Sequence, residues 1–472
     1  MRRIDTDVAI LGAGTAGLNA RRAAEKAGAK AVMIDPGPYG TTCARVGCMP
    51  SKLLIAAANA AHAVHGAPRF GVHPEGLRID GREVMARVRG ERDRFAGFVV
   101  RSIEEHAEEG RLIKGRGRFT GPNTIQVDDH TEVHFRTAVI ATGSRPFVPP
   151  PFRGLGDAMI DNEGLFNLED LPESALVVGT GVIGLEIGQA FHRLGVRTSV
   201  VGIRGVIGPL QDPKVKEVAA EVFGEEMDFR PDYQLESVER LPDGRVRLVA
   251  DGREDIYETV LLAAGRLPNL RGLGLEEVFG WDIRALPKVD ERIGQIGESH
   301  IFIAGDVSNF RPLLHEAADE GNMAGANAAT WPEVVVSPRR ASLGVVFTHP
   351  QIGMVGLSWD EVQKRGHAIG EVDFGLQGRA QVDGRNKGWV RIYGDCRDGT
   401  LLGAEMLGPG VEHMAHLLAW AVQQRRTVHE LLEMPFYHPV LEEGIRTALK
   451  DLEHRLRLPE TIAGCKELAE AS

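Results

Sequence analysis

Cys43 and Cys48 stand five residues apart in the stretch GTTCARVGCMPSK at residues 40–52. Two cysteines so placed have three chemical uses: half of a zinc site, a pair of inert buried thiols, or a disulfide that opens and closes. No second Cys or His pair in the sequence has zinc-ligand spacing, so no metal is expected. Residues 51–64 are apolar on every side, almost without breakers, and read as a helix. In one ideal helix the two Cα atoms would lie roughly 8 Å apart, beyond the ~4.4–6.8 Å that a disulfide spans. A bridge therefore needs a break in the backbone, and Gly47 is placed to allow one. Strain makes a bridge easier to reduce, which points to a redox centre if an electron carrier binds nearby.

A second constellation lies at His438 and Glu443, in the segment PFYHPVLEEG. Pro439 suits the first turn of a helix, which would put His438 at the cap and Glu443 in the next turns. Thiol–disulfide exchange needs a thiolate, and a thiol of pKa about 8.5 is mostly protonated at neutral pH. A histidine can take that proton, and a carboxylate can orient the ring and stabilise the imidazolium. A capped helix with an ordinary charged first turn is the competing reading.

The elements that must carry these groups are two βαβ units. The first spans residues 7–35: a β-type run at 8–11, then Gly12-x-Gly14-x-x-Gly17, an alanine-rich helix, and a strand at 31–34 ending in Asp35. In such a unit the first glycine makes the tight turn, the second lets a pyrophosphate approach amides at a helix N-terminus, and the third lets helix pack on strand. Asp35 sits where a carboxylate can accept from ribose hydroxyls. The second unit, residues 175–202, repeats the spacing with Gly179, Gly181 and Gly184. Asp35 follows Gly17 by 18 residues, and the same offset from Gly184 lands on Gly202, with Arg204 two residues on. An acid there favours a free 2′-hydroxyl and clustered arginines favour a 2′-phosphate. With neither present, the second dinucleotide is NAD or NADP, with a mild lean to NAD.

Composition sets the outer bounds. The 472 residues suffice for three or four domains. A net charge of −11 speaks against nucleic-acid or anionic-membrane binding. No apolar run reaches membrane-spanning length. The opening segment reads as a strand rather than a signal peptide. Four cysteines in so long a chain suit a reducing, cytoplasmic setting, where a local disulfide is more readily catalytic than structural. Cys396 and Cys465 have no partner at useful spacing and read as incidental thiols.

Two dinucleotides and one dithiol suggest a relay, with hydride passing between nicotinamide and flavin and an electron pair between flavin and disulfide. The segments that carry these groups resemble the flavoprotein disulfide reductases, and within them the dihydrolipoamide dehydrogenases. The family's redox box, GGTCxNxGCxPSK, matches at Gly40, Thr42, Cys43, Gly47, Cys48, Pro50, Ser51 and Lys52, and departs at Thr41 and Arg45. Residues 115–119 resemble the family's GxGxF loop at the adenine end of the flavin, and residues 141–146 its ATG turn. Residues 262–269 match the similar turn returning from the nicotinamide domain, and residues 301–307 the second flavin fingerprint. The motif HPTxxE falls on His438, Pro439 and Glu443, with Val440 at the threonine.

The resemblance implies an α/β fold: two Rossmann-like dinucleotide-binding domains, for FAD and NAD, plus a C-terminal α+β dimerisation domain. The expected boundaries are 1–150 for FAD, 151–270 for NAD(P), 271–340 returning to the FAD site and 341–472 for the homodimer. It implies cofactor contacts from Gly12, Gly14, Gly17, Asp35, Thr42, Lys52, Gly117, Thr142, Gly143 and Asp306, and from Gly179, Gly181, Gly184 and Gly265. Lys52 and Glu186 look like the family's ion pair near the flavin, and His315 like a histidine packed at it; ordinary helix charges and a structural histidine are the alternatives. The implied activity is oxidation of a dihydrolipoyl group on a carrier protein by the Cys43–Cys48 disulfide, with His438 as base across the dimer. Glutathione reductases tend to carry PKK where this chain has Pro50, Ser51 and Lys52, mercuric and large thioredoxin reductases carry a C-terminal cysteine or selenocysteine pair, and transhydrogenases lack the complete dithiol. Another NAD(P)H-dependent reductase of the family, or a non-catalytic flavoprotein sensor or scaffold, is the alternative.

Overall fold

The apolar run ahead of Gly12 forms β1 (Arg2–Leu11), buried over its last four residues. The computed structural model describes residues 1–458 of the chain. After β1 come α1 (Thr15–Lys26) and β2 (Ala31–Asp35), the latter buried over residues 31–34. Five parallel strands then lie side by side in the order Leu112–Lys114, β2, β1, Thr131–Ile140 and Ile301–Ile303. Their registers pair Leu11 with Ile34, Leu11 with Ile140 and Ile303 with Ile140, so the carboxyl ends finish level. Gly12, Asp35, Gly115, Ala141 and Ala304 therefore emerge along one edge, where open α/β sheets place their ligands. Small residues bring the covering helices close: a β-carbon on Gly321 or Gly325, in the helix Leu314–Thr330, would strike the backbone of Ala16 or Ala20 on α1.

These strands belong to a unit of residues 1–53, 86–147 and 265–339; a second unit holds residues 54–85, 148–264 and those from 340 onward. The redox segment forms α2 (Thr42–Val46) and α3 (Cys48–Gly66), so the helix reaches back to Cys48 rather than starting at Ser51. A long charged helix, α4 (Gly81–Glu108), comes next.

In the second unit the strands Asp228–Arg230, Arg197–Val201, Ser174–Val178, Thr259–Leu262 and Met159–Asp161 make a second parallel sheet. The antiparallel meander Leu235–Arg240, Val246–Ala250 and Arg253–Tyr257 covers part of its core. The remaining sheet is antiparallel, in the order Leu343–Val346, Gln351–Gly356, Leu401–Gly408, Trp389–Asp395 and His367–Asp373. Helices Val411–Gln423 and Glu443–Leu456 pack on it around Ile392, Met406, Leu418 and Leu449. Among the described residues no helix is long and apolar enough to cross a membrane, and no group of three or more potential metal ligands occurs.

Two sequence expectations need correction. Helix Glu443–Leu456 begins at Glu443, not at Pro439, because residues 439–442 are taken up by turns ahead of it. Cys396 is disulfide-bonded rather than an incidental thiol, and Cys465 lies outside the described residues.

Candidate active site

The break anticipated between the cysteines is at Gly47. Helix α2 stops at Val46, Gly47 leaves helical geometry with φ −132° and ψ −117°, and α3 starts at Cys48. A β-carbon at Gly47 would lie 3.0 Å from the Thr42 carbonyl oxygen and 3.2 Å from the Cys43 Cα, so only glycine lets the second helix fold this closely on the first. The two cysteines are unbridged thiols that hydrogen-bond to each other, Cys43 half-buried and Cys48 exposed. The hydrogen bond to Cys48, followed by burial, pushes the Cys43 thiol well above the ordinary range, while the nearby Lys52 ammonium pulls the other way. Once one sulfur carries charge, the other holds its proton toward it. Ser51 Oγ donates to the Cys48 carbonyl at 3.0 Å, and Lys52 Nζ approaches Ser51 Oγ at 3.4 Å, which steadies the first turn of α3.

Both departures from the family box have visible consequences. Thr41, at the position usually held by glycine, has φ +57° and ψ +151°, and its hydroxyl caps α2 by accepting from Ala44 N at 3.4 Å. Arg45, in the last turn of α2, has a buried Nε without a hydrogen-bond partner among the described residues.

The sheet edge of the first unit has the shape of a dinucleotide cradle. Gly12 has φ +114°, and a β-carbon there would lie 2.8 Å from the Ala141 carbonyl carbon; one on Gly17 would lie 2.9 Å from the carbonyl carbon of Gly12. At Gly14 a β-carbon would meet nothing within 4 Å, so of these three glycines it is Gly14 that faces open space, where a pyrophosphate can approach the amides. The Asp35 carboxylate accepts from Ala13 N at 2.7 Å and from Gly37 N at 2.6 Å, and so ties the first turn to the segment that leads toward the cysteines. Gly117 packs against Leu11 and Ile34. Thr142 Oγ1 donates to the Asn269 carbonyl, and Asn269 returns a bond from Nδ2 to the Thr142 carbonyl. Gly143 and Gly265, at φ +68° and +103°, have no atom within 4 Å of a built β-carbon. The residues present thus fit a flavin dinucleotide.

Asp306 follows the strand Ile301–Ile303 and accepts from Ser144 Oγ at 2.8 Å; Arg266 Nε in turn donates to that hydroxyl at 2.8 Å. Below them Glu320, 3% exposed, accepts from Gly305 N and Ser308 Oγ at 2.9 Å each and from Arg339. Burial still pushes its carboxyl above the usual range. Ser144, Arg266, Glu320 and Arg339 escape the sequence reading. Ser144 and Arg266 each follow a recognisable glycine turn by one residue, but nothing in the pattern says that the two turns pair as strands Ser144–Pro146 and Arg266–Pro268. His315 is exposed on the first turn of its helix, and Thr42 is exposed at the start of α2.

The second unit repeats the cradle. Gly179 has φ +119° against the Ala263 backbone, Gly184 packs on Gly179, and Gly181 again faces open space, so a second dinucleotide fits there. Glu186, 4% exposed on helix Val182–Arg193, accepts from Phe347 N at 2.9 Å. In the same unit His438 Nδ1 donates to the Glu443 carboxylate at 3.0 and 3.1 Å, which leaves Nε2 as the proton acceptor. That hydrogen bond, from a largely exposed ring, draws the Glu443 carboxyl below its ordinary range. Val440 N also donates to Glu443 at 3.3 Å. The pair has the orientation of a general base held by a carboxylate.

Comparison with known proteins places these features in one lineage. The model described as "Pyridine nucleotide-disulphide oxidoreductase" matches residues 6–321, and that of its dimerisation domain matches residues 342–449. A dihydrolipoyl dehydrogenase of Halobacterium salinarum is 32% identical, with 96% of each chain covered. One from Bacillus subtilis is 30% identical over 94% of this chain and 97% of its own. Among solved structures, LpdA from Mycobacterium tuberculosis aligns with a TM-score of 0.80 at 27% identity, covering 95% of this chain and 99% of its own. The HOCl-induced flavoprotein disulfide reductase RclA of Escherichia coli shares the fold, with a TM-score of 0.78 at 22% identity over 94% of this chain and 99% of its own.

Proposed function

The chain belongs to the pyridine nucleotide-disulphide oxidoreductase family, and we propose that within it the protein is a cytoplasmic dihydrolipoyl dehydrogenase, oxidising a dihydrolipoyl group on a carrier protein and reducing NAD. The observation that carries this reading is the Gly47 break, which folds Cys48 back toward Cys43 at the end of a dinucleotide-binding fold. The named relatives support lipoyl as the substrate.

In the oxidised protein Cys43 and Cys48 form a disulfide. A dihydrolipoyl thiolate attacks the Cys43 sulfur, the S–S bond breaks, and the electron pair leaves on Cys48. The second substrate thiol then attacks its own mixed disulfide, releasing cyclic lipoyl and a Cys43 thiol. Two protons leave the substrate, and His438 Nε2 takes the first while Glu443 holds the ring and its charge. Lys52 favours negative charge around the dithiol. A bound flavin supplies two-electron transfer between this dithiol and the nicotinamide dinucleotide. The dimerisation-domain match supports a homodimer. So do the exposed Tyr437, Leu417 and Met434 around a hollow of about 400 Å³ beside Val440. His438 serves the partner subunit's dithiol across that interface.

The test is turnover of dihydrolipoamide with NAD⁺, alongside His438→Gln, which should slow it at least ~100-fold, and Glu443→Gln, which should slow it less. Heterodimers of inactive Cys43→Ser and His438→Gln chains should regain partial activity, since one of their two sites is intact. No lipoamide turnover by flavin-loaded wild type would sink the substrate assignment. Verified heterodimers without recovery would return His438 to its own chain.

A further inference from the structure

The two glycine turns superpose in their logic bond by bond. Gly12 N donates to the Ile34 carbonyl and Gly179 N to the Val201 carbonyl, both at 2.8 Å; Ala141 N donates to Leu11 and Ala263 N to Val178, again at 2.8 Å. Gly202 is therefore the structural counterpart of Asp35, and Thr180 of Ala13. The difference between Ala13 and Thr180 bears directly on position 202. A β-carbon built on Gly202 would lie 2.8 Å from Thr180 Cγ2 and 3.0 Å from Thr180 Cβ, and would overlap its Oγ1. Thr180 is 2% exposed and fixed at both ends: Oγ1 donates to the Val206 carbonyl, and its own carbonyl accepts from Gly208 N at 2.7 Å. Turning the side chain aside would strand a buried hydroxyl. The turn it pins carries Arg204, exposed, with φ +60° and its backbone N donating to Asp232 Oδ1 at 2.8 Å.

We propose that Thr180 is a specificity-determining residue of the dinucleotide site: its side chain holds position 202 at glycine, denies the site a carboxylate for the 2′-hydroxyl, and leaves a cationic turn that accepts 2′-phosphorylated and unphosphorylated dinucleotides alike. Asp232, whose carboxylate faces the same turn, offsets part of the Arg204 charge and keeps the two within a modest factor. The inference rests on the nicotinamide part of the proposed function and is independent of the lipoyl substrate.

The experiment measures dissociation constants of NAD⁺ and NADP⁺ by calorimetry on flavin-loaded protein. Gly202→Glu alone should weaken both dinucleotides at least ~10-fold without gaining selectivity, because the new side chain has no seat. Thr180→Ala with Gly202→Asp copies the Ala13–Asp35 arrangement that this chain already builds, and should raise selectivity for NAD⁺ at least ~10-fold, the scale of one hydrogen bond to a charged group. Arg204→Ala should weaken NADP⁺ several-fold and NAD⁺ hardly at all, and changes only an exposed side chain. Selectivity gained by Gly202→Glu alone would overturn the proposal, as would a folded, flavin-loaded double variant with an unchanged ratio. A wild type that binds neither dinucleotide would overturn the proposal and the nicotinamide reading together. Lipoamide inactivity with the expected ratios would sink the substrate assignment alone.

Discussion

The chain builds the same nucleotide-binding turn twice and closes it differently. In the first fold the acid at the end of the second strand draws Ala13 N and Gly37 N onto one carboxylate. In the second, Thr180 fills that space and Gly202 supplies only backbone, its N donating to the Arg230 carbonyl. The first arrangement fixes the turn to the segment that carries the dithiol, as suits a group that stays bound through many turnovers. The second leaves the ribose face unfastened, as suits a dinucleotide that must come and go. An identical glycine spacing thus says that a dinucleotide binds, while the residue between the first two glycines helps to decide how tightly and which one.

The sharpest way to break that division is to block each turn separately. Gly12→Val would drive a branched side chain into the Ala141 backbone at φ +114°, and Gly179→Val would do the same against Ala263 at φ +119°. Gly12→Val should yield colourless protein with under ~1% of wild-type flavin per chain, a loss of more than ~3 kcal/mol of binding. Gly179→Val should stay yellow but lose flavin reduction by NADH at least ~100-fold. Absorbance per chain and stopped-flow reduction read the two outcomes. Colourless Gly179→Val protein would mean that the folds do not divide the cofactors as assigned.

Asp35→Asn should have a smaller effect in the same direction. It removes the charge from two hydrogen bonds to backbone N–H groups, each worth about 1.5–3 kcal/mol when the acceptor is ionised, and retains one oxygen acceptor. Flavin should dissociate roughly 10-fold faster, measured by fluorescence on dilution, with NADH affinity unchanged. Equal weakening of both cofactors would show that Asp35 acts through general stability rather than through its own turn.

How far the sequence discloses these sites depends on how local their causes are. The glycine turns, the Asp35 position and the break at Gly47 are each set within about 30 residues, and spacing alone exposes them. The His438–Glu443 hydrogen bond also follows from spacing, although the helix begins four residues later than Pro439 would place it. Contact across a long separation stays hidden, as with Arg266 on Ser144, 122 residues apart. Arg339 on Glu320 is only 19 residues apart but follows no motif, and the edge strand His367–Asp373 has alternating burial with too few strong β-formers to stand out. Thr180 is hidden for a different reason. Its consequence appears only when a side chain is imagined at Gly202, 22 residues away.

Acid offers a milder comparison of the two units. In the second, burial first, then the Arg193 cation and His62, lower His349 from 6.5 to about 4. Its pKa is depressed on folding, so its contribution to stability is complete above about 6.5 and is lost as pH falls toward 4, up to roughly 3 kcal/mol. In the first unit Glu320 is raised by burial, and its contribution is present at low pH and lost as pH rises through its folded value. Between pH 7 and 5, protection from hydrogen exchange, taken relative to the intrinsic exchange rate at each pH, should therefore fall in peptides covering strands Leu343–Val346 and Gln351–Gly356 before those covering helix Leu314–Thr330. His349→Asn should flatten the response. Equal loss of protection in both units would remove His349 as its source.

The smallest expected effect lies in the segment just after the second strand of the first fold. The chain runs there from Asp35 into the redox segment, and Thr41 holds φ +57° and ψ +151°, close to a region that costs non-glycine residues about 1–3 kcal/mol. Its compensation is a cap on α2, but the bond to Ala44 N is long at 3.4 Å, so it recovers less than the ~1 kcal/mol of a good N-cap. Relief of strain outweighs loss of the cap, and Thr41→Gly should stabilise the first unit by about 1 kcal/mol, raising its melting temperature by ~2–4 °C. Calorimetry on flavin-loaded protein measures that shift, and exchange in peptides spanning α2 locates it. A fall in melting temperature would show that the threonine hydroxyl holds the turn more strongly than its backbone resists it, and that this departure from glycine anchors the loop on which the dithiol depends.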